Sequence, residues 1–368
     1  MALIAIQTPH YAHNYGAQLQ AFALGQAIIK LGYDIEYINR RPANYFEFDN
    51  WFDEILRKLQ LASEGRGFLQ FENTFLQPQS IRLLHNSEYK NLDTSKYHAV
   101  VVGSDQIWRD DYFKYSFEYS PYLYFINNKN IKKVSYAASF GKNTCCPPKE
   151  RRLKIAKLLS DFNAISVREK SGVNILKQVY NVDGIWVADP TLLHDADFYT
   201  EKFNLKTNNN HHLVTYILGQ RPECVRIINT IAKSLCVKVD NIYKIPQCRI
   251  LKRYPFNRYR LYKPVPSVLD WLDKIKNAEY VITDSFHGMV FCIIFQKKFV
   301  VINNSQGGSD RFTSLLGLLD LTHKLCEWSY DARIIIDNIK TEIDYDNVYC
   351  YLNAFRKQSI DYLRMSIQ

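Results

Sequence analysis

The first forty residues constrain this chain more than any other stretch. Residues 3–7 form a continuous apolar run, residues 18–29 carry apolar side chains at helical spacing, Gly32 stops that helix, and 35–38 alternates as a second strand. Strand, helix and strand in that order make a right-handed parallel crossover, because a right-twisted strand feeding a right-handed helix returns to its sheet in that hand. A parallel sheet needs both faces covered, so the chain is directed to an α/β architecture. The rhythm continues with strands at 99–102, 133–137, 164–167 and 184–187, and helices at 149–161 and 169–179.

Residues 41–95 break this rhythm with Tyr45-Phe46-Glu47-Phe48, Trp51-Phe52 and Phe68-Leu69-Gln70-Phe71, and read as a helical, aromatic-rich insertion on a first domain. A polar stretch at 202–212 reads as a connector. After it the alternation restarts, with strands at 213–218, 239–245, 280–283 and 299–302, and helices at 222–234, 267–277, 288–295 and 312–318. The expected organisation is an α/β domain over 1–200, a second over 201–340, and a helical segment over 341–368 that packs back on the first domain. With 368 residues the chain is long for one core and ordinary for two. Two Rossmann-like α/β domains in tandem place a ligand cleft between the carboxyl ends of their strands.

Composition narrows the function. The longest apolar run, 289–295, is far too short to cross a bilayer, and the opening residues lack the basic segment of a signal peptide. The eight Cys lie outside any C-x-x-C or zinc spacing, which fits reduced thiols in a cytoplasmic protein. A net charge of +10 favours anionic partners, but the Lys and Arg are scattered, which disfavours nucleic acid. No repeat of solenoid period is visible.

Candidate chemistry gathers where strands end. The first loop, His10-Tyr11-Ala12-His13-Asn14-Tyr15-Gly16-Ala17-Gln18, offers free amides at a helix N-terminus; Asn14 is either a ligand group or a helix cap. His10 and His13 lack a third metal ligand nearby, so a loop pair is the simpler reading. Gly103-Ser104-Asp105-Gln106-Ile107-Trp108 follows a strand, and Asp105 is placed to take a proton from a substrate hydroxyl or to cap a helix. Ser139 lies in a third strand end, Tyr136-Ala137-Ala138-Ser139-Phe140-Gly141-Lys142. Arg168 ends a fourth strand, where it grips a carboxylate or phosphate or else pairs with Glu169 at the surface. In Thr283-Asp284-Ser285-Phe286-His287-Gly288, an apolar strand turns straight into an apolar helix, which sets His287 at a helix N-terminus as an acid, a cap or a buried histidine. The loop at 303–312 carries Arg311 toward the same cleft.

Taken in order, Asn14-Tyr15-Gly16-Ala17 with Leu19-Gln20, Gly103 to Trp108, Ser135 to Gly141, Ser166-Val167-Arg168-Glu169 and Asp284 to Gly288 resemble the polysaccharide pyruvyl transferase family across residues 10–320. The resemblance implies a GT-B-like pair of domains, acceptor on the first and donor phosphate on the second. It implies transfer of a pyruvyl group from phosphoenolpyruvate to two hydroxyls of a cell-surface glycan or its lipid-linked precursor, with no metal or other cofactor. His287 then protonates the donor's methylene carbon and Asp105 relieves the attacking hydroxyl of its proton. Asn14, Gly16, Gln18, Ser104, Gln106, Ser139, Arg168, Ser285, Gly288 and Arg311 bind substrate. Some family members carry Arg where this chain has Ser285, which leaves Arg311 to take that role. The resemblance implies a cytoplasmic enzyme, and the positive charge with exposed aromatics in 41–95 fits docking on an anionic membrane. The alternatives are a GT-B glycosyltransferase using a nucleotide sugar, and a glycan-binding module.

Overall fold

The computed structural model describes residues 1–41, 66–115, 118–208, 211–219, 222–242, 266–303 and 308–368. The aromatic groups at 45–48 and 51–52, part of the 239–245 strand and residues 304–307 of the Arg311 loop lie outside them. The described residues form two all-parallel sheets. The first contains β1 (Leu3–Gln7), β2 (Asp34–Tyr37), β3 (Tyr97–Gly103) and β4 (Lys132–Tyr136) in the order β2-β1-β3-β4. Two-residue strands β5 (Ser166–Val167) and β6 (Ile185–Trp186) extend it, because Ala138 bridges to Val167 and β5 pairs with β6. The second sheet contains β7 (His212–Tyr216), β8 (Lys238–Asn241), β9 (Tyr280–Thr283), β10 (Lys298–Ile302) and β11 (Leu325–Cys326) in the order β11-β10-β9-β7-β8.

Helix α1 (Tyr15–Lys30) begins where Asn14 Oδ1 accepts the Ala17 N–H at 3.1 Å, and it ends before Gly32, whose φ of 93° turns the chain into β2. The described part of the insertion, residues 66–95, is less helical than its sequence suggests. Residues 66–75 form a helix (α2), but Gln79 bridges Tyr37 and Leu83 bridges Arg40, giving β2 an irregular outer neighbour. Phe68 and Phe71 are buried in the main core, so these aromatics are not an exposed membrane-docking surface. The apolar side of α2 has α1 to cover, and Phe22 meets Phe71 at 6.1 Å between ring centres.

The other helices of the first domain are α3 (Lys149–Leu159), α4 (Lys170–Ile175) and α5 (Ala196–Phe203). The second domain carries α6 (Pro222–Leu235), α7 (Val268–Lys276), α8 (Phe286–Ile294), α9 (Asp310–Leu318) and α10 (Ala332–Lys340). Every residue of α8 is buried, as expected of a helix that is apolar on all sides. It packs against α1 of the first domain, so the main core runs through both domains. Helix α10 stays on the second domain against α6. Helix α11 (Tyr345–Ile367) makes the return: Tyr345 Oη donates to the Lys297 carbonyl at 2.6 Å, and further along Tyr362 Oη donates to the Ser135 carbonyl at 2.9 Å. Among the described residues no helix is long and apolar enough to cross a membrane.

Candidate active site

The turns that follow β1, β3, β4, β5 and β6 converge on the turn between β9 and α8, at the carboxyl ends of both sheets. Arg168, just after β5, is the centre of the group. Its side chain is fully enclosed, Nη1 donates to Asp189 Oδ2 at 3.0 Å, and Nη2 lies 3.6 Å from Asp105 Oδ1. The guanidinium stands 4.7 Å from the ring centre of Phe286 in the second domain. Its Nε and Nη2 have no hydrogen-bond partner. The surface pairing with Glu169 is therefore corrected: both residues are buried, and Glu169 instead accepts from Ser139 Oγ at 3.0 Å and the Phe140 N–H at 2.8 Å.

Asp105 sits at φ 68°, a left-handed conformation that Asp tolerates because its carboxylate can bond locally, here to the Gln106 N–H at 2.8 Å. Its carbonyl accepts the Ser139 N–H at 3.0 Å, which ties the β3 and β4 turns together. Asp189, unremarked in the sequence, is fully buried and accepts from Ser104 Oγ at 2.8 Å as well as from Arg168. Burial alone would raise its carboxyl, but His287, Arg168 and Thr191 together hold it far below the usual carboxylate range.

His287 is the second residue of α8, and its Nε2 lies 3.5 Å from Asp189 Oδ2. The ring rests on Gly16: a Cβ at that position would fall 1.9 Å from His287 Nδ1. Gly16 is thus required as a flat surface for the imidazole. Ser285 caps α8 by accepting the Gly288 N–H at 3.3 Å, and Gly288 packs on Thr283. Asp284 accepts the Leu218 and Gly219 N–H groups, which fixes the β7 turn beside the site.

Arg311, in the first turn of α9, donates from Nε to the Gly308 carbonyl at 3.3 Å. Burial pushes its guanidinium down to about 10, and repulsion from Arg168 and Arg109 adds to that against the attraction of Glu169 and Asp105. Two guanidiniums from different domains therefore lie in one region, Arg168 enclosed and Arg311 half-buried. The domains are fastened around them, since Ser171 N donates to Asp310 Oδ2 at 2.7 Å and Lys170 N to Ser314 Oγ at 3.2 Å.

Gly16, Ser104, Asp105, Ser139, Arg168, Ser285, His287, Gly288 and Arg311 thus gather in one largely buried region between the domains, with Glu169, Asp189 and Phe286 added by the structure. The carboxylate of Asp189 stands in Val187-Ala188-Asp189-Pro190 directly after β6, so the rule that ligand groups follow strands could have found it. Asn14 is an exposed cap of α1, and Gln106 accepts from Arg109 at 2.8 Å on the rim. Gln18 is buried and donates to the Phe68 carbonyl at 3.1 Å. His10 is buried and pushed down to about 4, and among the described residues no set of His, Cys, Asp and Glu is arranged to hold a metal ion.

Two parallel α/β domains facing across a cleft, tied by a carboxyl-terminal helix, define a protein of the GT-B class. The solved structure of UDP-N-acetylglucosamine 2-epimerase from Rickettsia bellii is similar over all of this chain and 97% of its own, with a TM-score of 0.53 at 10% identity. S. aureus MnaA, solved with UDP, matches 95% of this chain and 90% of its own, with a TM-score of 0.51 at 11% identity. At these identities the likeness is one of fold. The family model for polysaccharide pyruvyl transferase matches residues 14–306, and the chain belongs to that family. Among curated protein sequences nothing matches.

Proposed function

We propose that the protein transfers the pyruvyl group of phosphoenolpyruvate to two hydroxyls of a glycan, forming a cyclic ketal. The observation that carries this reading is the enclosed Arg168 guanidinium, whose Nε and Nη2 have no hydrogen-bond partner beside the N-terminus of α8, with the half-buried Arg311 of the other domain nearby. Phosphoenolpyruvate presents a phosphate and a carboxylate, and two guanidiniums are suited to that pair of anions. Binding it would also offset the repulsion that depresses Arg311.

In the proposed reaction His287 gives a proton to the donor's methylene carbon, and the π electrons form the new C–H bond, leaving the adjacent carbon electrophilic. A glycan hydroxyl adds to that carbon as its proton passes to Asp105. The C–O bond to phosphate then breaks, phosphate leaves with the bonding pair, and the second hydroxyl closes the ketal with loss of its proton. Both imidazole nitrogens face protein here, Nδ1 toward Gly16 and Nε2 toward Asp189. The donor has to displace the Gly16 contact, which leaves Nδ1 to give the proton while Nε2 keeps Asp189. The acceptor is proposed to be a glycan or its lipid-linked precursor, met at the inner face of the cytoplasmic membrane.

Thermal-shift titration with phosphoenolpyruvate, beside a panel of nucleotide sugars, tests the donor. A ligand at about 100 times its Kd adds about 2.7 kcal/mol of stability. The expected result is stabilisation by phosphoenolpyruvate that Arg168→Lys weakens. Stabilisation by a nucleotide sugar alone would overturn the reading in favour of glycosyl transfer.

A further inference from the structure

We infer that Asp189 is a positioning residue for His287, a carboxylate of the first domain that orients the proton donor of the second. This rests on the proposed role of His287 as the acid. The oxygens of Asp189 are divided between two tasks. Oδ1 accepts from Thr191 N at 3.0 Å and Thr191 Oγ1 at 2.6 Å, which fixes the plane of the carboxylate within its own turn. Oδ2 accepts from Ser104 Oγ at 2.8 Å and Arg168 Nη1 at 3.0 Å, and it faces His287 Nε2 at 3.5 Å.

Three segments therefore meet at one oxygen: the turn after β3, the turn after β5 and the start of α8. On its far side the imidazole is backed by Gly16 of α1, where no side chain fits. From the first domain the ring faces Asp189, with Arg168 and Asp105 behind it, and α8 itself presents the neutral Phe286 beside it. A buried carboxylate is costly unless it is paired and hydrogen-bonded, and Arg168, Ser104 and Thr191 meet that requirement without His287. Asp189 is thus ionised before the histidine arrives. An ionised carboxylate at Nε2 directs the ring proton to that nitrogen and fixes the ring's orientation, as an orienting aspartate does for a catalytic histidine.

The test uses the full chain labelled with ¹⁵N-histidine and no substrate. The wild-type imidazole resonance of His287, identified by its loss in His287→Gln, is expected to report a protected Nε2–H, and Asp189→Asn is expected to abolish that protection. With phosphoenolpyruvate, Asp189→Asn is expected to lower kcat by on the order of 10²–10⁴-fold while donor affinity changes less than about tenfold, one bond to Arg168 being altered. Arg168→Lys is expected to do the reverse, weakening the donor while leaving the imidazole signal in place. An Nδ1–H tautomer in the wild type overturns the inference, as does an imidazole signal unchanged in Asp189→Asn, or donor affinity falling in step with kcat. If Asp189→Asn does not fold, the wild-type resonance alone decides. Failure of phosphoenolpyruvate to bind would overturn the donor assignment and leave the imidazole measurement to decide Asp189.

Discussion

Arg311→Met should make the unliganded protein more stable and the liganded protein less so. Burial, with Arg168 and Arg109 nearby, pushes Arg311 down to about 10, well below the ordinary guanidinium range. A drop of about two and a half pH units at ~1.4 kcal/mol each corresponds to about 3 kcal/mol against the charged native state. The sign follows from protonation. At pH 7 Arg311 is charged both folded and unfolded, so the whole penalty is present there and fades only as pH rises through about 10. Methionine has similar bulk and no charge, so it removes the penalty but also the bond to the Gly308 carbonyl, made at 3.3 Å and worth about 1–2 kcal/mol. The net gain is about 1–2 kcal/mol.

An unfolding entropy of ~2.1 cal/mol/K per residue, taken over a chain of 368 residues, converts that gain to a rise of about 1–3 °C in Tm. Scanning calorimetry of both proteins, with and without phosphoenolpyruvate, measures it. The wild type should gain a few degrees from the donor and Arg311→Met should gain almost none. A lower Tm for unliganded Arg311→Met would refute the electrostatic account. A donor-induced shift retained in the variant would refute the two-arginine site.

Other outcomes follow from single contacts. In Gly16→Ala the new methyl would lie 1.9 Å from His287 Nδ1 and 2.4 Å from its Cγ, so the ring must move; a cost of about 1–3 kcal/mol and a loss of roughly 100-fold in kcat are expected, checked by denaturant unfolding and phosphate release. His287→Gln should remove turnover while keeping donor-induced stabilisation, and turnover near the wild-type rate would end its assignment as the acid. His10 and His194 are both pushed down to about 4, in each case first by burial. The unfolded chain takes up their protons near pH ~6.5, so stability should fall as pH drops from there to about 4, by about 3 kcal/mol for each, and stay flat above pH 7. His194→Gln, whose amide can still donate to the Ala23 carbonyl, should flatten that slope in thermal melts run from pH 7 to 4.5.

Most strands and helices of both domains were legible because each carries its own periodicity, and β9 over Tyr280–Thr283 has the limits its apolar run gives it, but α5 and β11 went unread. The turns bearing Asp105, Arg168 and His287 were legible for the same reason: each follows a strand. Asp189 also follows a strand, read at 184–187, and was missed because the Asp-Pro after it reads as an ordinary turn. The exposed aromatic surface assigned to 41–95 failed at Phe68 and Phe71, since an aromatic pair at helical spacing does not say which neighbour it covers. Arg168 and Glu169 read as a surface pair because adjacent opposite charges usually are one.

By itself the sequence determined what depends on near neighbours: the βαβ crossover, the cap at Asn14, the break at Gly32, and the placing of His287 at the start of an apolar helix. The tertiary structure alone decided which distant groups share a cleft. It set Gly16 under His287, turned Asp189 toward both Arg168 and His287, and brought Arg311 beside Arg168 from the other domain. Local pattern records interactions within a turn or a strand pair. Burial, and the field that fixes each charge, is set by elements far apart in the chain, and it exists only once the two domains have closed on each other.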